Sequence, residues 1–270
     1  MSKIIEVRPG ICISCEDDWF GPPWDTATPI LLVHGVAESS RAWTQWVPHL
    51  ATAFRVIRPD LPGFGKSPVP ASYSWTTAEM AADLVRLLDR LDIGRFHLVG
   101  AKYGGSTALQ LAADFPDRVQ SLVVLGTPAK GSGTGLRAKL GSVPEMVRQF
   151  GVRGWAERTQ ASRLGSSAPP AQLRWWTDEL MGKADPRACT GCSTAVATMD
   201  LEDRMRDIAA PSLVVTTADS PLQPVETARA YQQAIPRSRL LVLPGDCYHV
   251  AAVRPHECAG IVLDFIRSLG

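Results

Sequence analysis

Short apolar runs closed by turn residues alternate along this chain with stretches whose apolar residues recur at helical spacing. Residues 30–34 (ILLVH) end at Gly35 and suit a strand buried on both faces of a parallel sheet. Residues 55–58 (RVIR), ending at Asp60, form a second such run. Residues 76–92 place Met80, Leu84, Leu87, Leu88 and Leu91 at helical spacing, with Gly94 as the stop. A third strand follows at 96–99, a helix at 106–115 closed by Pro116, and a fourth strand at 121–125. Upstream, the alternation of Ile11, Cys12, Ile13, Ser14 and Cys15 reads as an early strand.

The rhythm changes between 129 and 208, where Gly and Ser cluster first and helical patches appear at 143–150 and 170–181, with no buried-strand run. After Pro211 the strand-helix pattern returns: a strand at 212–216, a helix at 225–235, a strand at 239–243 and a final helix at 258–269. Strands alternating with helices predict an α/β fold with a mostly parallel, doubly wound sheet. The core is expected at 1–128 and 209–270, with a helical cap at 129–208 inserted between its halves.

Composition narrows the partners. In 270 residues, 28 Lys+Arg stand against 27 Asp+Glu, a formal net charge of +1 without basic runs. That argues against nucleic acid or an anionic membrane surface and for a small-molecule substrate. No membrane-length apolar run occurs, and the start, MSKIIEVRPG, lacks the charged and apolar regions of a signal peptide, so a soluble cytoplasmic protein is expected. Whether it forms a homodimer is open. The six cysteines are expected to be free thiols. Cys12/Cys15 and Cys189/Cys192 form two C-x-x-C pairs, but they lie far apart and neither opens a helix after a βαβ strand, so neither a zinc site nor a redox pair is expected. No metal or cofactor is called for.

The run from Phe96 to Ser106 carries the chemistry. A strand followed at once by Gly100-Ala101-Lys102-Tyr103-Gly104-Gly105 and a helix has the layout of a nucleophile elbow, in which small residues two positions away on each side permit a strained turn. With His34-Gly35 after an apolar strand, the loop from Asp60 to Ser67 (DLPGFGKS) and His249 after the last strand, the chain resembles the α/β-hydrolase fold superfamily over nearly its whole length. The resemblance implies an oxyanion hole at the backbone N–H groups of Val36 and Tyr103 and a catalytic role for His249.

The chain also departs from that pattern. Lys102 stands where such enzymes keep Ser, Cys or Asp, and in the loop Thr217-Ala218-Asp219-Ser220-Pro221 the usual acid position falls on Ser220, with Asp219 one residue early. A Ser-His-Asp relay needs a hydroxyl to attack and a carboxylate to orient the imidazole. Lys102, placed at a helix N-terminus in an apolar pocket, should have a lowered pKa. It can then act as a base, as a Schiff-base former or, held protonated, as a cationic stabiliser of an enolate. Asp219 or Ser220 would support His249.

These roles suit chemistry next to a carbonyl, and the superfamily includes lyases and natural-product tailoring enzymes. The function expected is therefore a cofactor-free lyase or C–C bond-forming enzyme on an aromatic or polycyclic substrate, using Lys102 and His249. An atypical hydrolase in which His249 activates water and a catalytically dead binder are the alternatives. His34, Trp43, Trp155, Trp175, Trp176 and Tyr248 are expected to line the substrate pocket, the aromatic ones suiting a flat ligand. Asp60 and Ser67 are expected to fix their loop, and His97 to be structural.

Overall fold

Why the apolar runs become strands is visible in their surroundings: every residue of Phe96–Ala101 and of Ser212–Thr217 is buried, as in strands covered on both faces by helices. The computed structural model describes residues 2–131 and 142–270. Its eight strands are β1 (Ser2–Arg8), β2 (Ile11–Asp18), β3 (Pro29–Val33), β4 (Arg55–Pro59), β5 (Phe96–Ala101), β6 (Val119–Leu125), β7 (Ser212–Thr217) and β8 (Ser238–Leu243). They form one sheet in the order β1-β2-β4-β3-β5-β6-β7-β8. β1 and β2 run antiparallel at one end, and β3 to β8 are parallel, with Leu31 opposite Leu98 and Leu98 opposite Leu122. This is the α/β-hydrolase fold.

The helices of the core are α1 (Val47–Leu50), α2 (Thr77–Arg90) and α3 (Tyr103–Asp114). Between β6 and β7 come α4 (Val143–Leu164), α5 (Pro170–Trp175), a π-helical turn Trp176–Leu180 and α6 (Pro186–Thr198). α7 (Val225–Ala234), α8 (Val250–Val253) and α9 (Pro255–Arg267) complete the chain. Among the described residues, no helix is long and apolar enough to cross a membrane.

Several boundaries differ from the expected ones for physical reasons. α2 is capped by the Thr76 hydroxyl accepting the Glu79 N–H at 3.2 Å, but it closes through Asp92 at φ 56° with Ile93 N–H on Leu88 C=O, before Gly94 is reached. α4 resumes after Gly151, whose φ of 69° kinks it where the predicted patch ended. α6, which carries Cys189 and Cys192, was not expected, and its N-terminus is capped by Asp185 accepting the Arg187 N–H at 2.7 Å. All six cysteines are free thiols. Most of the Gly/Ser cluster noted above lies outside the described residues.

Two apolar layers cover the sheet. On one side Leu31, Leu98 and Leu122 pack against Met80, Leu84 and Leu109 from α2 and α3. On the other, Leu32, Val99 and Val123 pack with Trp43, Trp46 and Val262. The carboxyl ends of β3, β5 and β8 lie at the edge of this sandwich, and there the polar groups gather.

Candidate active site

The turn after β5 is built by what its glycines exclude. Lys102 adopts φ 56°, ψ −125°, directly before the first residue of α3. A Cβ on Gly104 would stand 2.2 Å from the His34 carbonyl oxygen, and one on Gly100 would stand 2.6 Å from the Gly104 oxygen. Only glycine permits these approaches, so the turn stays tight and the Lys102 side chain projects from a strained backbone. The lysine is 5% exposed.

Its partner was not anticipated from the sequence. Glu38, 2% exposed, lies in the loop after β3, and Lys102 Nζ donates to its Oε1. The other carboxylate oxygen, Oε2, accepts the Gly35 N–H at 2.9 Å. His249 Nε2 lies 3.1 Å from the same Oε1, within ion-pair range but without hydrogen-bond alignment. His249 Nδ1, the atom that a relay acid would engage, has no partner among the described residues. One carboxylate thus sits between a lysine and a histidine, all three buried.

The charge state follows from those contacts. Burial alone would raise the Glu38 carboxyl, but the positive charge that His249 and Lys102 can carry beside it reverses this and holds it below the usual carboxylate range. Burial pushes the Lys102 amine down, against the pull of Glu38. It pushes the His249 imidazole down as well, again against Glu38 and with Lys102 adding to the fall. An ordinary amine, at 10.5, holds its proton far more tightly than an ordinary imidazole, at 6.5. Lys102 donates to the Glu38 carboxylate, which places the balancing proton on the lysine, and burial favours the neutral form of His249.

The expected supports of His249 are elsewhere. Asp219 is exposed, with its backbone N–H on Gly245 C=O, and among the described residues makes no hydrogen bond or ion pair with the imidazole. The Ser220 hydroxyl accepts the Gln223 N–H at 3.2 Å and is taken up by its own turn. His34 is also removed from the expected pocket lining, because both its ring nitrogens face backbone: Nδ1 pairs with the Gly35 carbonyl at 2.8 Å and Nε2 accepts the Leu61 N–H at 2.9 Å. It braces the loop that carries Glu38. Asp60 accepts backbone N–H groups of Ser40 and Lys66, Ser67 donates to the Asp60 carbonyl, and His97 pairs with Ser121. The N–H groups of Val36 and Tyr103 have no hydrogen-bond acceptor among the described residues.

The aromatic residues divide. Trp43 packs edge-on against Trp46 at 4.9 Å inside the core layer. Trp176 stands edge-on to His249, ring centroids 4.9 Å apart, and also lines a cleft of about 320 Å³ with Arg41, Gln45, Gln172 and Trp175. It is thus the wall between this cleft and the buried triad. Trp155 is 2% exposed on α4, and Tyr248, 5% exposed, immediately precedes His249.

A strained turn after β5, a histidine after β8 and unpaired N–H groups at Val36 and Tyr103 lie along the carboxyl edge of a doubly wound sheet. The family model of the alpha/beta hydrolase fold matches residues 28–253, and the chain belongs to that family. It is 31% identical over 249 residues to a 2-hydroxy-6-oxo-2,4-heptadienoate hydrolase of Pseudomonas putida, covering 89% of each chain. Against a 2-hydroxymuconate semialdehyde hydrolase of Pseudomonas sp. CF600 it is 29% identical, over 89% of this chain and 87% of the relative. Among solved structures, a thermophilic esterase from Thermogutta terrifontis superposes with a TM-score of 0.86 at 27% identity, covering 99% of this chain and 98% of the other. The enol-lactonase from Burkholderia xenovorans LB400 gives the same TM-score at 23% identity, over 96% and 97% of the two chains.

Those relatives correct the expected function. They are hydrolases, which overturns the reading as a lyase or C–C bond-forming enzyme of natural-product tailoring. Two of the roles expected of Lys102, base and Schiff-base former, need a free amine, whereas Lys102 is an ion-pair donor to Glu38.

Proposed function

We propose that the protein is a cofactor-free hydrolase of small-molecule carbonyl compounds that uses water, rather than a side chain, as its nucleophile. The observation that carries this reading is the Glu38 carboxylate shared between Lys102 and His249. A lysine already donating to a buried carboxylate is a poor nucleophile, because attack requires the neutral amine. A neutral imidazole beside the same carboxylate is a competent base. With Nε2–H turned toward Glu38, the lone pair is at Nδ1, which has no partner among the described residues, and there His249 takes a proton from water. The resulting imidazolium lies 3.1 Å from Glu38, which stabilises it as the acid of a Ser-His-Asp relay would, from the opposite edge of the ring.

Charge developing on the substrate oxygen is met by the Val36 and Tyr103 N–H groups, with the Lys102 ammonium nearby. The relatives, named as hydrolases and an esterase, support the reaction class. The cleft outside Trp176, flanked by Trp175, supports a substrate with a flat or aromatic portion.

The test is turnover of 4-nitrophenyl esters followed by intact-protein mass spectrometry. Product release with the protein at its unmodified mass is expected. An acyl adduct on Lys102, or none of the esters being turned over, would contradict the proposal.

A further inference from the structure

Helix α4 lays a second set of buried polar groups beside this site. Trp155, Thr159 and Arg163 follow one another at four-residue spacing and share a face, with Gln160 one turn before Arg163. The Arg163 carbonyl accepts the His249 backbone N–H at 2.8 Å, which fixes this end of α4 against the histidine. The Arg163 guanidinium lies over the Trp155 ring, 4.8 Å from its centroid, and donates to the Thr159 hydroxyl, whose own proton goes to the Trp155 carbonyl at 2.7 Å.

What this cluster lacks is an acceptor. Arg163 is 5% exposed, and among the described residues no carboxylate lies within ion-pair distance of it. Gln160 is 2% exposed with neither its amide nitrogen nor its oxygen bonded, and the Trp155 Nε1 is also without an acceptor. Buried polar groups are nearly always paired, and a buried guanidinium without a counter-charge is more costly still. Burial brings the Arg163 pKa down to about 10, which leaves it charged at neutral pH. Glu38 is already balanced by Lys102, so the buried site carries one positive charge that nothing in the described chain offsets.

We infer that Arg163, with Gln160 beside it, is a carboxylate-binding subsite, and that the natural substrate carries a carboxylate which docks there. The guanidinium fork matches the two oxygens of a carboxylate and has its orientation set by Trp155 and Thr159. The bound carboxylate balances the surplus charge and turns the rest of the substrate toward His249. That last placement rests on the hydrolase reading; the anion subsite does not.

The test is therefore a binding measurement. Calorimetric titration of the wild-type protein with phenylacetate and glutarate should give binding about tenfold or more tighter than with phenylacetamide and glutaramide. In Arg163→Met the preference should fall to within threefold, and in Gln160→Leu it should fall part of the way. Arg163→Met should also melt at or above the wild-type temperature, because it removes a charge that the folded protein holds unpaired. Equal binding of acids and amides by the wild type, a preference that survives Arg163→Met, or an Arg163→Met protein that does not fold would each overturn the inference. Hydrolysis of neutral 4-nitrophenyl acetate by the wild type is scored separately. Its absence would sink the hydrolase reading and leave a carboxylate preference standing.

Discussion

Replacing Glu38 by Gln removes one charge from the site while keeping its shape, since the new side-chain oxygen can still accept the Gly35 N–H. Two unit charges about 3 Å apart at an effective dielectric near 20 attract by roughly 5 kcal/mol. Removing both ions from water costs nearly as much, so the intact pair is worth little against a neutral pair. The single variant is different, because it strands a buried ammonium at a cost of about 3 to 5 kcal/mol. That loss depends on pH. Without Glu38 the Lys102 value falls further below its ordinary 10.5, so the folded protein binds fewer protons than the unfolded chain and regains stability as pH rises toward 10.5. Urea unfolding at pH 7 should show Glu38→Gln losing about 3 kcal/mol, and less at pH 9. Lys102→Met should lose less, because the Gly35 N–H and His249 remain beside the carboxylate. The double variant should come within about 1 kcal/mol of wild type, a coupling of at least 2 kcal/mol. Additive losses, or a Glu38→Gln loss that does not change with pH, would refute the reasoning.

Other expectations follow from single features of the site. Because burial lowers the His249 value below 6.5, the acid limb of kcat/KM should lie below pH 6.5, and it should move lower still in Glu38→Gln, which removes the group opposing the fall. Gly104→Ala should cost several kcal/mol or abolish soluble expression, since its Cβ would stand 2.2 Å from the His34 carbonyl oxygen. Trp176→Ala should lower stability by about 3 to 5 kcal/mol yet raise kcat/KM for naphthyl esters relative to acetates, by removing the wall between the cleft and His249. Asp219→Asn should leave kcat within twofold of wild type, because that carboxylate is exposed and forms no ion pair with the imidazole.

The fold was legible in the sequence wherever a physical signal was local. The apolar runs ending at Gly35, Asp60 and Gly100 mark strands whose carboxyl ends feed the site, and the Gly100, Gly104 and Gly105 spacing encodes the elbow through contacts that a Cβ would forbid. β1 escaped notice because it is a largely exposed edge strand with no clear alternation, and α6 because its Cys, Thr and Gly residues give a weak helical pattern. Lys102 and His249 were legible from their places after β5 and β8. Glu38 was not, because relay acids lie in the loop after β7 and Glu38 lies in the loop after β3. Its signal was a lone acidic residue three positions after Gly35 in the loop after β3, close enough to accept the Gly35 N–H. Arg163 lay in a helix whose partner across space, His249, no local pattern connects to it.

The central claim is that water is activated at the Glu38–His249 pair. It is tested most directly by the steady-state hydrolysis of 4-nitrophenyl acetate at pH 7.5 by the wild type and by folded His249→Ala. The account predicts turnover by the wild type and a loss of about 100-fold or more in kcat for the variant. Equal rates for the two proteins would contradict it.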